Sequence, residues 1–270
     1  LELNRLTTLT PECARSLATV NGPLYLNGLQ TLSDDAAKEL QKFSHELYLS
    51  GLTTISESTA TSLADRRSDR FIYLYLNGLT SLTDEVAKGL GRQGGILRLR
   101  GVTSLTDAAA ASLAEQDGTL DLDGVTMLSD TAAQSLGKHL GPLELNGLTT
   151  LRPATAKGLT AHSWNLEFNG VTELDDETAV VLGKHKGSLE LNGLLRLSDL
   201  AAAELAKHRG IDDAGVRGQL KLNGLTMLSD SAAASLGTHV GELSLTGLST
   251  LSDSAATSLA KHDGHLGLYG

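Results

Sequence analysis

The chain has 270 residues, a formal net charge of −10 and an isoelectric point near 5.2. This acidic balance excludes a general phosphate-binding surface, which needs a basic stripe, and so argues for no nucleic-acid partner; it favours solubility and cationic partners. Cys13 is the only cysteine, which excludes an intrachain disulfide and cysteine-based metal sites, and no stretch approaches the roughly 18 apolar residues of a membrane span.

A glycine recurs at Gly28, Gly51, Gly78, Gly101, Gly124, Gly147, Gly170, Gly193, Gly224, Gly247 and Gly270, mostly 23 residues apart, and each carries the same neighbours. A fixed period of this size predicts a solenoid, in which each unit buries its apolar side only against its neighbours. Aromatics make up only 3% of the chain, so leucine and alanine must supply the core. The whole of 1–270 reads as a single solenoid domain.

Within a row, two leucines precede the glycine in an L-x-L pattern, as in Leu143 and Leu145 or Leu189 and Leu191. Alternation at period two predicts a strand with one buried face. A Leu or Val follows the glycine and a further Leu or Ile comes three residues later, turning the chain inward. Then a helix is expected. Thr10, Ser33, Ser56, Thr83, Thr106, Ser129, Ser198, Ser229 and Ser252 stand at its N-cap, followed by an acid suited to the helix N-terminus. Pro11 and Pro153 replace that acid, and proline is tolerated at the first helical position and hardly deeper. Arg152 at a cap position predicts the worst-capped helix.

Inside the helix one column is always alanine, from Ala14 to Ala256, and three residues on it is always leucine, from Leu17 to Leu259. That spacing defines one helical face. Cys13 sits where other rows have Ala36, Ala109 and Ala132, and a small buried residue is expected there. The helix should end near a Lys-His pair and a glycine, as at Lys184-His185-Lys186-Gly187. Each row is therefore strand, turn, short helix, turn. About eleven such rows predict an α/β right-handed solenoid with a parallel sheet. Strands stack about 4.8 Å apart and helices about 8–10 Å, so the array should curve into an arc with the sheet on its concave face.

These L-x-L pairs, the Leu or Val after the glycine, and the helical Ala and Leu columns resemble the leucine-rich-repeat family over nearly the whole chain. The resemblance is closer to a bacterial variant with a Gly-Leu-Thr core than to the animal or plant forms. Leucine-rich repeats usually carry an inward Asn bonded to neighbouring backbones; here Asn instead precedes the glycine, as in Asn146-Gly147 and Asn192-Gly193. Turn chemistry is the expected reason, because Asn-Gly tolerates positive φ.

Two intervals are longer. Gly51 to Gly78 gains residues near 65–73, and Gly193 to Gly224 near 210–218, both between a helix and the next strand. Both insertions project from one edge. The chain begins at Leu1, inside a repeat, and closes on Leu266 and Leu268. Neither end has a polar cap, which predicts a fragment of a longer array or end-to-end self-association.

Function is sought where the rows differ. The outward strand positions hold Tyr25, Tyr48, Tyr75, Arg98, Asp121, Glu144, Glu167 and Glu190 in one column, with Arg100 and Asp123 beside them. Tyrosine and arginine are typical interface anchors. Like charges in adjacent rows repel, and a basic peptide, another cationic ligand or Ca²⁺ at Asp121, Asp123 and Glu144 would relieve them; a solvated face is the plain alternative. Saccharide stacking on the tyrosines is a minor option. A second column, His139, His162, His185, His208, His239 and His262, invites a metal reading, but rows about 8 Å or more apart at the helix ends cannot share one ion. Bonding to the last helical carbonyls is expected instead. No phosphate-binding loop, nucleophile motif or H-E-x-x-H occurs, and the paired acids Asp175-Asp176 and Asp212-Asp213 fall at a helix start and in an insertion. The expectation is a non-catalytic module without cofactor or metal, binding a protein or peptide, with basic segments favoured, on the concave face. The alternative is a structural or adhesive segment of a surface repeat protein assembling through its ends.

Overall fold

In a computed structural model, residues 1–65, 72–209 and 218–268 are described. The insertions expected near 65–73 and 210–218 lie largely outside them, as does Asp212-Asp213. Contacts divide the chain into two compact units, Leu1–Val125 with His139–Pro142, and Thr126–Lys138 with Leu143–Gly270. In unit 1 the helices α1 (Pro11–Leu17), α2 (Asp34–Leu40), α3 (Glu57–Ala64), α4 (Asp84–Leu90) and α5 (Asp107–Leu113) alternate with strands β1 (Leu24–Tyr25), β2 (Leu47–Tyr48), β3 (Ile72–Tyr75), β4 (Gly95–Arg98) and β5 (Leu120–Asp121). Unit 2 continues with α6 (Asp130–Leu136), β6 (Leu143–Glu144), α7 (Pro153–Leu159), β7 (Leu166–Glu167), α8 (Asp176–Leu182), β8 (Leu189–Glu190), α9 (Asp199–Leu205), β9 (Gln219–Lys221), α10 (Asp230–Leu236), β10 (Glu242–Ser244), α11 (Asp253–Leu259) and β11 (Leu266–Gly267).

Within each unit the strands pair in parallel and in chain order. The register equates leucine with leucine, as in Leu24↔Leu47, Leu47↔Leu74 and Leu166↔Leu189. Leu189↔Leu220 keeps the same register although the intervening row is eight residues longer. A one-residue slip would turn every leucine to the solvent face, so the L-x-L pattern fixes the pairing. The strands stop after two to four residues because the chain then turns at the glycine and sends the next Leu or Val back into the core. Leu29, Leu52, Val102, Val125, Leu148, Val171 and Leu194 are fully buried there.

The helical alanine column is buried from Ala14 to Ala233, and the leucine column from Leu40 to Leu259. Ala256 is exposed, and Leu17 is half-buried. Every helix N-terminus except that of α7 is closed by its cap side chain accepting from the N–H three residues on, for example Ser198 from Ala201 at 2.9 Å and Asp175 from Thr178 at 2.6 Å. Arg152 makes no such bond, as its side chain has no acceptor. The caps also reach backwards. The hydroxyls of Ser56, Ser198, Ser229 and Ser252 donate to Asp34, Asp176, Asp199 and Asp230, the first helical residue of the preceding row. Hydrogen bonds from Ser56 and Thr59 hold the Asp34 carboxyl below the usual aspartate range. Arg152 instead pairs with Asp130 at 3.1 Å.

Three expectations need correction. The helices end at the leucine column, near the Lys-His pair as expected and two residues before it, but the C-caps are right-handed, and Gly187, expected as the left-handed stop, is not in the left-handed region. Cys13 is exposed, whereas Ala36, Ala109 and Ala132 at the same place in other rows are fully buried. The Asn-Gly steps do not need positive φ: no non-glycine residue adopts it, and the only glycines that do are Gly22, Gly95, Gly241 and Gly264 among the described residues. Close approach explains the glycine instead. A Cβ at Gly51 would lie 2.1 Å from the Asn27 carbonyl oxygen of the previous row, and one at Gly170 2.3 Å from that of Asn146.

Candidate functional site

Where asparagine precedes the repeat glycine, its side chain bonds to the next row. Asn27 Oδ1 accepts from the Ser50 N–H at 3.0 Å, and Asn77 Oδ1 from that of Arg100 at 3.2 Å. In unit 2, Asn146, Asn169, Asn192 and Asn223 bond in turn to the backbone N–H of Asn169, Asn192, Asn223 and Thr246. The side chain thus satisfies a strand-end donor that would otherwise be unpaired where the rows turn. Although Asn stands one position before the glycine, it does the neighbour-bonding that the resemblance assigns to an inward Asn. The frame is therefore fixed, and the variable columns stand on it.

In unit 1 the tyrosines form a ladder. Tyr25, Tyr48 and Tyr75 are register partners, and their rings stack at 4.2 and 4.0 Å with interplanar angles of 17° and 9°. The Arg98 guanidinium lies 5.6 Å from the Tyr75 ring centroid, within cation–π range. Tyr48 donates to Glu46 Oε2 at 2.8 Å, and burial with neighbouring hydroxyl bonds pushes its phenol well above the ordinary range. Because the stacked faces cover one another, the ladder presents ring edges and hydroxyls. Saccharide stacking needs an open ring face, so that option loses its basis at Tyr48.

Beside the ladder, Asp121 is fully buried and takes two guanidiniums: Arg98 Nη1 at 3.0 Å and Arg100 Nε at 2.6 Å. Its other oxygen accepts from the Asp123 N–H at 3.2 Å, and Arg100 also pairs with Asp123 at 3.3 Å. The cation expected from a ligand at Asp121 is supplied by the protein itself. Sequence columns carried the signal, since Arg98 and Asp121 are register partners.

In unit 2 the same column is acidic. Glu144↔Glu167 and Glu167↔Glu190 are register pairs, and Lys221 follows Glu190, its ammonium 2.5 Å from Glu190 Oε1. Asn146 and Asn192 donate to Glu167 and Glu190 at 3.3 Å. Sequence reasoning placed the three glutamates but left Lys221, and Glu46 beside the tyrosines, out of the candidate set.

The histidine column differs most from expectation. His185, His208, His239 and His262 stack, with centroids 6.3, 6.0 and 5.8 Å apart and interplanar angles of 19°, 4° and 11°. They do not cap their own helices. Nε2 of His185, His208 and His262 bonds to the carbonyls of Trp164, Gly187 and Gly241 in the previous row at 2.9, 2.8 and 3.0 Å, and His139 to Gly118 at 2.9 Å. Past the helix the chain returns to strand-like spacing, which helix-to-helix distances do not report. The next glycine leaves room for this: a Cβ at Gly187 would lie 2.2 Å from the Trp164 oxygen. In unit 1 Phe43, Gln93 and Gln116 occupy the same buried place. Among the described residues no helix is long and apolar enough to cross a membrane.

No family model matches the chain, and no curated protein does. Solved structures do. A leucine-rich-repeat protein of Leptospira interrogans is similar at 18% identity, over 99% of this chain and 82% of that one, with a TM-score of 0.46. An internalin of Listeria monocytogenes is similar at 17% identity, over 95% and 88%, with a TM-score of 0.45. A chain of the yeast Rad7–Elc1 complex is similar at 16% identity, over 97% and 81%, with a TM-score of 0.39. By its own alternation of parallel strands and helices in register, the chain is a leucine-rich-repeat-like solenoid.

Proposed function

We propose that the chain is a non-catalytic recognition module that holds a protein or peptide against the solvent face of its strands. One observation carries this. Over an unvarying leucine layer, the outward register column changes from Tyr25, Tyr48 and Tyr75 to Arg98 and Asp121 in unit 1, and runs Glu144, Glu167, Glu190 in unit 2. Variation confined to one face of a repeated frame is where a binding protein stores its choice of partner. Fold alone does not give that choice.

The acidic run favours a basic, extended segment in unit 2, with Lys221 marking where the acidic register ends. In unit 1 the arginines and Asp121 neutralise one another, so the tyrosine edges and hydroxyls are the anchors offered. The test is fluorescence anisotropy with Lys/Arg-rich decapeptides. Glu144→Lys/Glu167→Lys/Glu190→Lys should weaken binding at least tenfold, and salt should weaken the parent protein's binding. Equal binding by both proteins sinks this reading. Concentration-dependent association of the parent in sedimentation, undisturbed by the charge reversal and without peptide binding, would favour the structural or adhesive alternative.

A further inference from the structure

We propose that the stacked imidazoles of His185, His208 and His239, against which His262 stacks, form a built-in acid switch that unlocks the later rows of unit 2, while rows with glutamine in the same place hold. It does not depend on the identity of a partner.

The geometry sets the protonation state. Nε2 of His185, His208 and His262 faces a backbone carbonyl, which only accepts, so Nε2 carries the hydrogen. In the neutral ring Nδ1 is then a bare lone pair. In each of the four rings Nδ1 is buried and meets no hydrogen-bond acceptor. Adding a proton there creates a charge with nothing to receive it, about 6 Å from the next ring that would also be charged.

Among the described residues no counter-charge bonds to these rings. Lys184, Lys186, Lys207, Arg209, Lys261 and Asp263 on the flanking turns are all exposed. From the helices, Glu204 pairs with Lys207. Glu190, Lys221 and Glu242 stand on the outward strand positions, and Lys221 binds Glu190. Among the described residues no carboxylate bonds to any of the four rings, and the neighbours that become charged in acid include other members of the ladder and His162. Burial first, then the neighbouring histidines, lowers His185 and His239 to about 4, and burial lowers His208.

The sign follows. Above pH 6.5 the rings of His185, His208 and His239 are neutral folded and unfolded, and nothing is lost. Between about 6.5 and 4 the unfolded rows take up protons that the folded rows refuse, so stability falls as pH falls through that window. The column holds its own control. Gln93 and Gln116 fill the same buried position without a titrating group; Gln93 donates to the Ile96 carbonyl at 3.0 Å, and Gln116 accepts from Gly118 N–H at 3.0 Å.

Hydrogen exchange by mass spectrometry, corrected for intrinsic rates, compares peptides from the rows of His185 to His262 with those from the row of Gln93. Going from pH 7.5 to 5.0, opening of the histidine rows should rise about 30-fold for each of His185 and His239, while the Gln93 row stays level. His185→Gln/His239→Gln should flatten the response. An equal acid response in both sets of rows, or an unchanged response in the variant, overturns the proposal. Should that variant not fold, imidazole NMR of the parent decides: protonation of the folded rings with midpoints near 6.5 overturns it, and midpoints well below support it.

Discussion

The two units share a frame and differ in what they place on it. Both pair leucine with leucine and link rows through an asparagine oxygen, Asn27 to Ser50 in one and Asn169 to Asn192 in the other. On the strand face, however, unit 1 joins Arg98 and Arg100 to the buried Asp121, whereas unit 2 sets Glu144, Glu167 and Glu190 as register neighbours, with Lys221 paired to Glu190. In the helix-to-strand turn the contrast is of another kind. Gln93 and Gln116 close their own turn, while the histidines reach back to the previous row. The same address in the repeat can therefore be local or inter-row, depending on the length and rigidity of the side chain.

The largest effect should come from Asp121→Ala, which removes the buried acceptor of two guanidiniums. Urea unfolding should show a loss of about 3 kcal/mol, at the low end for a broken buried pair because both arginines still reach solvent. Glu190→Gln, its counterpart in unit 2, should cost less than about 1 kcal/mol. Comparable losses would erase the distinction between a fully buried acceptor and a partly exposed one. Next in size, Gly51→Ala and Gly170→Ala drive a Cβ into the Asn27 and Asn146 carbonyls, and each should cost about 1–3 kcal/mol. Unequal costs would mean that the frame is not shared. The smallest is a gain. Arg152→Ser restores a cap for α7 and gives Asp130 the hydroxyl partner that Asp199 and Asp230 have, so thermal unfolding should report about 0.5–1 kcal/mol more stability.

Local chemistry was legible in the residues. Caps, the proline at the first helical position, the weak cap at Arg152 and the leucine layer all depend on near neighbours in the chain, and period and propensity report these directly. What escaped depends on contacts between rows. His185 to His262 were spaced as helices are, yet they lie where the chain has returned to strand spacing. Asn-Gly was attributed to backbone conformation, whereas its cause is a carbonyl of the row before. The partner of Asp121 was readable, since Arg98 stands 23 residues earlier in the same column, but counting like charges along the column hid it.

The backward reach of the helix caps bears on how such an array can change its copy number. Where the cap is Asp175, the preceding row begins its helix with Pro153 rather than an acid; where it is Ser198 or Ser229, a hydroxyl meets Asp176 or Asp199. Excising residues 152–174 by recombination would keep the period yet join the Asp175 carboxylate to Asp130, two acceptors with no hydrogen between them. Duplication and loss are thus constrained by a rule of adjacency: a module can be inherited only beside a neighbour whose first helical residue suits its cap.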